Sequence, residues 1–203
     1  MEIMRGKQTS FIDTTVLAER LAGYDSIHID IGTGDGRFVN HIAQAHPDTF
    51  VIGIDACREN LREAHAVSRR APSNTLFVIA NARALPTELY GIAAQVTINF
   101  PWGSLFEGLL DADPALFDGL RNVMHPDAGL EVRLNGGTLT QAGYSLEDGT
   151  NRVRAVLAQN GFAMHQTTAM TARDLKAFPT TWAKSLAFGR DPRAMFLCGV
   201  RKA

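Results

Sequence analysis

Short apolar runs rich in β-branched residues recur along the chain. Between them lie stretches whose apolar positions repeat every three or four residues. The runs are Ser26–Ile31 (SIHIDI), Phe50–Asp55 (FVIGID), Leu76–Ala80 (LFVIA), Val96–Phe100 (VTINF), Leu130–Leu134 (LEVRL), Phe162–Thr167 and Met195–Val200. The helical stripes are Phe38, Ile42 and Ala45; Leu61, Ala64 and Ser68; Leu116, Leu120, Val123 and Met124; and Val153, Val156 and Leu157. Such alternation predicts βαβ units and a mainly parallel sheet covered on both faces. The expected fold is a single α/β domain over residues 1–203. It is a doubly wound, Rossmann-like sheet of seven strands ending in a C-terminal antiparallel hairpin.

Two stretches break the alternation. Asn135–Gly149 reads as a glycine-rich connection, and Ala169–Pro192 as a short helical segment followed by Pro-Thr-Thr-Trp and Gly-Arg-Asp-Pro turns. Long irregular connections in a compact domain usually carry function. Met1–Ser10 is mixed polar with no apolar run, so neither a signal peptide nor a strand is assigned there. No stretch approaches the length of a membrane-spanning helix. A cytoplasmic protein is expected.

Composition narrows the class. Of 203 residues, 45% are hydrophobic and 20% charged, which excludes a disordered or coiled-coil chain. With 20 Lys+Arg against 21 Asp+Glu, wrapping nucleic acid by bulk positive charge is excluded, and any such binding needs a local patch. Arg173–Ala203 offers one, with seven basic side chains, Arg190 and Arg193 among them, against Asp174 and Asp191. Arg58, Arg62, Arg69 and Arg70, opposed by Glu59 and Glu63, form a smaller one. Cys57 and Cys198 are isolated in sequence, so both thiols are expected to pack as small apolar groups in a reducing compartment. The six histidines show no metal-ligand spacing, and no metal site is expected.

The strongest local signal is Asp30-Ile31-Gly32-Thr33-Gly34-Asp35-Gly36-Arg37, which closes the first predicted strand and opens a helix. Glycines there permit a tight turn and let a ligand lie against bare backbone. Asp55 closes the next strand, where a carboxylate can accept both hydroxyls of a ribose. A dinucleotide fingerprint reads GxGxxG, whereas Gly32, Gly34 and Gly36 read GxGxG, with Asp30 two residues ahead. A carboxylate suits the ammonium of S-adenosylmethionine better than a pyrophosphate. The competing reading is ordinary turn glycines and strand-end acids. Ala80–Pro86 is placed to clasp an adenine through the backbone N–H of Ala82 or Arg83 and the side of Leu85; a plain turn is the alternative. Asn99-Phe100-Pro101-Trp102-Gly103-Ser104 closes the fourth predicted strand beside that cofactor. Trp102 on a proline-stiffened turn is a platform for a flat base, and Trp182 could supply the second wall of a sandwich. Packing of both tryptophans in the core is the competing reading.

The segments IHIDIGTGDGR (27–37), IGIDACRENL (52–61), FPWGSL (100–105) and TTWAKSLAFGR (180–190) together resemble one family. It is the aminoglycoside-resistance 16S rRNA (adenine(1408)-N(1))-methyltransferases, and the resemblance runs from about Met1 to Val200. It implies a class I methyltransferase fold, S-adenosylmethionine as donor, and a flipped adenine between Trp102 and Trp182. It places cofactor contacts at Asp30, Gly32, Asp55, Ala82, Arg83, Ser104 and Thr180; Gly34 and Asn99 are added from the turn and strand end. It also implies an rRNA contact at Arg190, to which the charge map adds Arg193, Arg69 and Arg70. The partner expected is 16S rRNA in the 30S subunit, bound by a monomer. The chain departs from the family in shortened linkers at Ser68–Thr75 and Asn135–Gly149. It departs also at Asn99, where the family carries an apolar residue; this makes the turn look like that of amino-methylating enzymes, whose polar side chain grips an exocyclic amine. Two rivals are a tRNA guanine-N7 methyltransferase, which also carries an aromatic after a proline there, and a non-enzymatic nucleotide- or RNA-binding Rossmann-like module.

Overall fold

The fold was analysed in a computed structural model that describes residues 1–6, 8–67, 72–189 and 192–203. The chain opens with β1 (Glu2–Arg5), β2 (Gln8–Phe11) and α1 (Thr14–Leu21). It then alternates through β3 (Ser26–Ile31), α2 (Arg37–Ala45), β4 (Thr49–Asp55), α3 (Arg58–Val67), β5 (Thr75–Ile79) and β6 (Ala93–Asn99). There follow α4 (Gly103–Asp111), α5 (Pro114–Val123), β7 (Met124–Asn135), α6 (Gly136–Gln141) and α7 (Leu146–Gln159). The chain ends with β8 (Phe162–Met170), α8 (Ala172–Ala177), α9 (Thr181–Phe188) and β9 (Ala194–Arg201). No helix among the described residues is long and apolar enough to cross a membrane.

All seven predicted strands form. They lie in one sheet ordered β2-β1-β5-β4-β3-β6-β7-β9-β8. β5, β4, β3, β6 and β7 run parallel, while β9 and β8 close the far edge antiparallel. The sequence reading stopped short at the N-terminus, where residues expected to be irregular form a hairpin that extends the sheet antiparallel to β5. These strands are four residues long, and only Ile3 and Met4 point inward, too short a pattern to stand out.

Two further expectations need correction. Asn135–Gly149 is mostly helical. Asn135 accepts the Thr138 N–H to start α6, and Ser145 accepts the Asp148 N–H to start α7. Likewise Thr180 caps α9 by accepting the Ala183 N–H, so Trp182 sits on a helix rather than in a turn. Cap residues and turn residues are the same few types, which is why both segments read as loops. Cys57 also departs from expectation: it is exposed, whereas Cys198 is half-buried in β9.

The two faces of the sheet are covered differently. One carries the main core, in which Leu17 of α1, Leu109 of α4, Leu116 and Phe117 of α5, and Val153 and Leu157 of α7 pack on Ile29, Ile52, Val96 and Val132. On the other, Val39 and Ala43 of α2 and Leu61 of α3 meet Val51 and Phe77. This close approach needs Gly53, since a Cβ there would lie about 3 Å from the side chains of Val39, Phe77 and Thr33. A satellite cluster of Phe100, Leu175, Ala183 and Ala194 fastens the α8–α9 strap beside the strand ends. The order of strands reverses between β3 and β6. Doubly wound sheets bind ligands at such a switch point, beyond the carboxyl ends of their strands.

The buried hairpin makes a stability prediction. Ile3→Ala should lower unfolding free energy by about 2–4 kcal/mol, as cavity-forming substitutions do, and chemical denaturation measures it. A cost near zero would mean that the hairpin is only loosely attached.

Candidate functional site

The ends of β3, β4 and β6 frame a cavity of about 640 Å³ roofed by the strap. After Ile31 the chain turns through Gly32, Gly34 and Gly36, with φ of 75°, 55° and 65°. The N–H groups of Gly32 and Thr33 donate to the Ile54 carbonyl at 2.8 and 3.0 Å, which clamps this loop onto β4. Where a Gly34 side chain would project, the space is open. Asp55 accepts the Gly34 N–H through one oxygen and the Cys57 N–H through the other, both at 2.8 Å. Its orientation is thereby set; the oxygen facing Cys57 also accepts the Asn60 amide in a long contact of 3.4 Å, and the other keeps a lone pair for a ligand hydroxyl.

Asp30 lies deeper and is buried. One of its oxygens accepts the Thr97 hydroxyl at 2.7 Å and the Asn99 amide at 2.9 Å. Burial pushes its carboxyl up to about 6, against the lowering effect of these hydrogen bonds and of the Arg133 charge. Behind Thr97 stands His28, with Nε2 3.1 Å from the hydroxyl. Because Thr97 gives its proton to Asp30, His28 Nε2 is the donor in that contact. Burial, with the nearby Arg133 and His46, pushes His28 down to about 4, so it is neutral at physiological pH.

Trp102 and Trp182 are 61% and 46% exposed, which excludes the core packing that competed with a platform role. Their ring centroids lie 6.2 Å apart, but the planes meet at 70°. Sandwiching a base requires parallel rings about 7 Å apart, two contacts of about 3.5 Å, so the indoles must turn to receive one. Trp102 follows Phe100, a buried non-glycine residue at φ 52°. Such backbone costs about 1–3 kcal/mol and persists only where surroundings enforce it, and it aims the Pro101–Trp102 turn over the cavity.

The predicted residues separate on this geometry. Asp30, Gly32, Gly34, Asp55, Ala82, Asn99, Ser104 and Thr180 all line the cavity, as do both tryptophans. Arg83 does not: its N–H donates to Asn81 Oδ1 at 2.9 Å, and its guanidinium pairs with Asp113 at 2.7 Å. Leu85 is buried against α5 rather than forming a wall. Asn99 has both ends engaged, donating to Asp30 and accepting from Arg133 at 2.9 Å, so it is not poised to grip an exocyclic amine. Arg69, Arg70 and Arg190 lie outside the described residues. Arg193 anchors the start of β9, its carbonyl accepting the Gly136 N–H. No group of three or more His, Cys, Asp or Glu suited to a metal ion occurs among the described residues.

Two acids at the strand ends, with no Lys or Arg among the described lining residues, suit a ligand bearing an ammonium and a ribose but no phosphate. A family model described as 16S rRNA (adenine(1408)-N(1))-methyltransferase (NpmA) matches residues 2–201.

The chain belongs to this family.

A curated 16S rRNA (adenine(1408)-N(1))-methyltransferase from Escherichia coli is 32% identical over 208 residues, covering 94% of each chain. The crystal structure of the enzyme of that name from Catenulisporales acidiphilia, a tryptophan variant with cosubstrate SAM, superposes with a TM-score of 0.85. It covers 100% of this chain and 97% of its own at 25% identity. The aminoglycoside resistance methyltransferase NpmB1 superposes with a TM-score of 0.79 at 30% identity, covering 98% of each. A tRNA (guanine-N(7)-)-methyltransferase from Brevibacillus brevis is 36% identical, but over only 89 residues, 41% of this chain.

Members of this family use S-adenosylmethionine, and the cavity fits it on an observation independent of kinship. Thr33 Oγ1 is buried at its wall beside Asp30, whose charged form it favours, and makes no hydrogen bond of good geometry, so it keeps capacity for a polar ligand. Sequence reasoning missed Thr33, and it missed the link from Thr181 Oγ1 to Asp35 at 2.7 Å that ties the strap to the glycine loop. These two residues are 146 positions apart, and nothing local signals their meeting.

Affinity for S-adenosylmethionine, followed by calorimetry, should be bell-shaped in pH. It should weaken below about 6 as Asp30 takes up a proton. Above about 8 it should weaken again as the ligand's own α-amino group loses its charge. Asp30→Asn should bind weakly and lack the acid limb; an intact acid limb would place the titrating group elsewhere.

Proposed function

We propose that the protein methylates N1 of the decoding-site adenine of 16S rRNA within the 30S subunit, and that this modification protects ribosomes from aminoglycosides. The observation that carries the reading is a pair of exposed tryptophans, in edge-to-face contact at 6.2 Å, lining the same cavity as the strand-end acids Asp30 and Asp55. In this reading Asp30 holds the donor's ammonium, Asp55 its ribose hydroxyls, and the backbone at Ala82 its adenine. Gly32, Gly34, Ser104 and Thr180 line the remainder. Trp102 and Trp182 receive the target base. Extruding a base costs a few kcal/mol, and each stacking contact returns about 1–3 kcal/mol, so two indoles offset what one would barely match. Arg69, Arg70, Arg190 and Arg193 supply phosphate contacts. The enzyme acts in the cytoplasm as a monomer of one domain.

S-adenosylmethionine supplies a methyl on a sulfonium centre, an electrophile that the neutral N1 lone pair of adenine can attack without prior loss of a proton. The chain therefore needs no general base, and its contribution is placement. Asp30 and Asp55 fix the donor's two ends, and the tryptophans hold the base plane. Alignment of that kind can remove about 7–11 kcal/mol of barrier. The partial likeness to guanine-N7 enzymes spans less than half the chain, which favours the rRNA reading over the tRNA one.

Methylated N1 cannot pair. Reverse transcription across the decoding site of treated 30S subunits should therefore stop one nucleotide before that adenine. Trp102→Ala and Trp182→Ala should each abolish the stop while leaving donor affinity and melting temperature near wild type. A tryptophan variant that melts far lower would mark a core role instead. A methylated tRNA with no stop on 30S would transfer the assignment to guanine-N7 chemistry. Asp55→Ala should weaken donor binding by about 1.5–3 kcal/mol, the scale of charged hydrogen bonds.

A further inference from the structure

Arg133 is an unusual residue for the middle of a sheet. It projects from β7, is largely buried at 13% side-chain exposure, and lies behind the donor cavity, whose lining does not include it. Four groups hold its guanidinium, which also lines a second cavity on this side of the sheet. One terminal nitrogen donates to Asn99 Oδ1 at 2.9 Å, and the other donates to Glu131 at 2.7 Å. The ring of Phe178 lies 4.8 Å from its central carbon, and that of Phe196 lies 4.7 Å away.

Each partner leads somewhere functional. Asn99 hands the contact on to Asp30 at 2.9 Å. Phe178 joins α8 to α9. It stacks on Phe38 at 5.3 Å, meets Phe100 edge-on at 5.5 Å, and its carbonyl accepts the N–H of Thr180 at 2.9 Å. Trp182 stands two residues further on. A buried cation placed between two rings and two hydrogen-bond acceptors is held far more tightly than packing alone would hold it.

We propose that Arg133 is a positioning residue that builds both halves of the active site at once. Through Asn99 it sets the donor's ammonium site at Asp30, and through Phe178 it sets the strap that presents Thr180 and Trp182. The proposal rests on the roles given above to Asp30 and Trp182. It also explains Asn99, whose polar side chain is needed to pass the contact from Arg133 to Asp30. The charged and titratable groups that share the space around Arg133 are Glu131 on the same strand, His28 on β3, His41 on α2, His46 just after it, and Asp174 on α8. Glu131 is the one paired with it.

The test has two readouts, and loss of packing alone would not move the first. The first is the acid limb of S-adenosylmethionine binding by calorimetry. Arg133→Gln removes a positive charge that favours ionised Asp30, the smallest of the influences on that carboxyl, so the midpoint should rise by less than about one pH unit. Arg133→Lys keeps the charge and should bring it back near wild type. The second is acrylamide quenching of Trp182 in a Trp102→Phe background, where it is the sole tryptophan. Quenching should increase in both Arg133 variants, because a lysine cannot fill the space between two rings and bond to both acceptors. Phe178→Leu should increase quenching while leaving the midpoint unchanged, and it covers the case in which Arg133→Gln does not fold. A lowered melting temperature with midpoint and quenching both at wild-type values would overturn the proposal. If the Trp102→Phe parent itself shows no acid limb, the assignment of Asp30 has failed rather than that of Arg133.

Discussion

A buried carboxylate at a strand end is the constraint on which this structure turns. Asp30 sits at the last inward position of β3, one residue before the chain leaves the sheet, where water is excluded. An ionised group there is costly unless surrounded by donors. The sheet meets that demand from its neighbouring strand, with Thr97 and Asn99 of β6 both donating to the same oxygen. The register that puts Asp30 level with Thr97 is therefore as much part of the site as the glycine turn. What remains unmet, a full countercharge at the open side, is what an ammonium-bearing donor provides.

The same economy runs outward from Asp30. Its carboxyl is coupled through Thr97 to a neutral histidine and through Asn99 to a cation whose other faces are closed by aromatic rings. In the proposed reading donor binding is thus wired into the sheet, whereas base capture is left to two surface indoles on separate supports. Trp102 rides on the strained, buried Phe100 turn, which has little freedom. Trp182 rides on a strap held by the small Phe100–Leu175–Ala183–Ala194 cluster and by Thr181 on Asp35. A rigid wall opposite a more adjustable one suits rings that must turn from 70° toward parallel.

The central strands were legible because each is a contiguous β-branched run, and the donor loop because glycine spacing and the two acids fall within 30 residues of one another. Both tryptophans could be singled out because aromatics flanked by Pro and Gly, or by threonines, are unusual. What escaped was everything assembled across the sheet. The N-terminal hairpin is too short to show a period. The helices after β7 and within the strap begin with cap residues that read as turns. Arg83 looked like a cofactor contact by position, yet Asn81 and Asp113 claim its polar groups. Asn99 lines the cavity as expected, but its contacts to Asp30 and Arg133 could not be read from the chain. The caps are local but use residue types that turns share, whereas the hairpin's place against β5, the Arg83–Asp113 pair and the contacts of Asn99 depend on partners distant in sequence, of which the pattern along the chain carries no trace.

The near-neutral charge of the chain bears on how such an enzyme selects its target. A strongly basic protein binds any nucleic acid and relies on release to find its site. Here the described cavity lining carries acids and no Lys or Arg. Of the basic side chains from Arg173 onward, Arg173, Lys176 and Lys184 lie on the strap, whereas Arg201 and Lys202 lie at the far end of β9, bonded to the carbonyls of Met124 and Ala158. In the proposed reading attraction works mainly at the basic edge that the strap forms. An RNA surface that matches the edge but cannot deliver a base between the indoles gains few contacts elsewhere and departs. In that reading selection comes from simultaneous engagement of the basic edge and the aromatic pair, and the strap, which joins the two, is the element on which specificity depends.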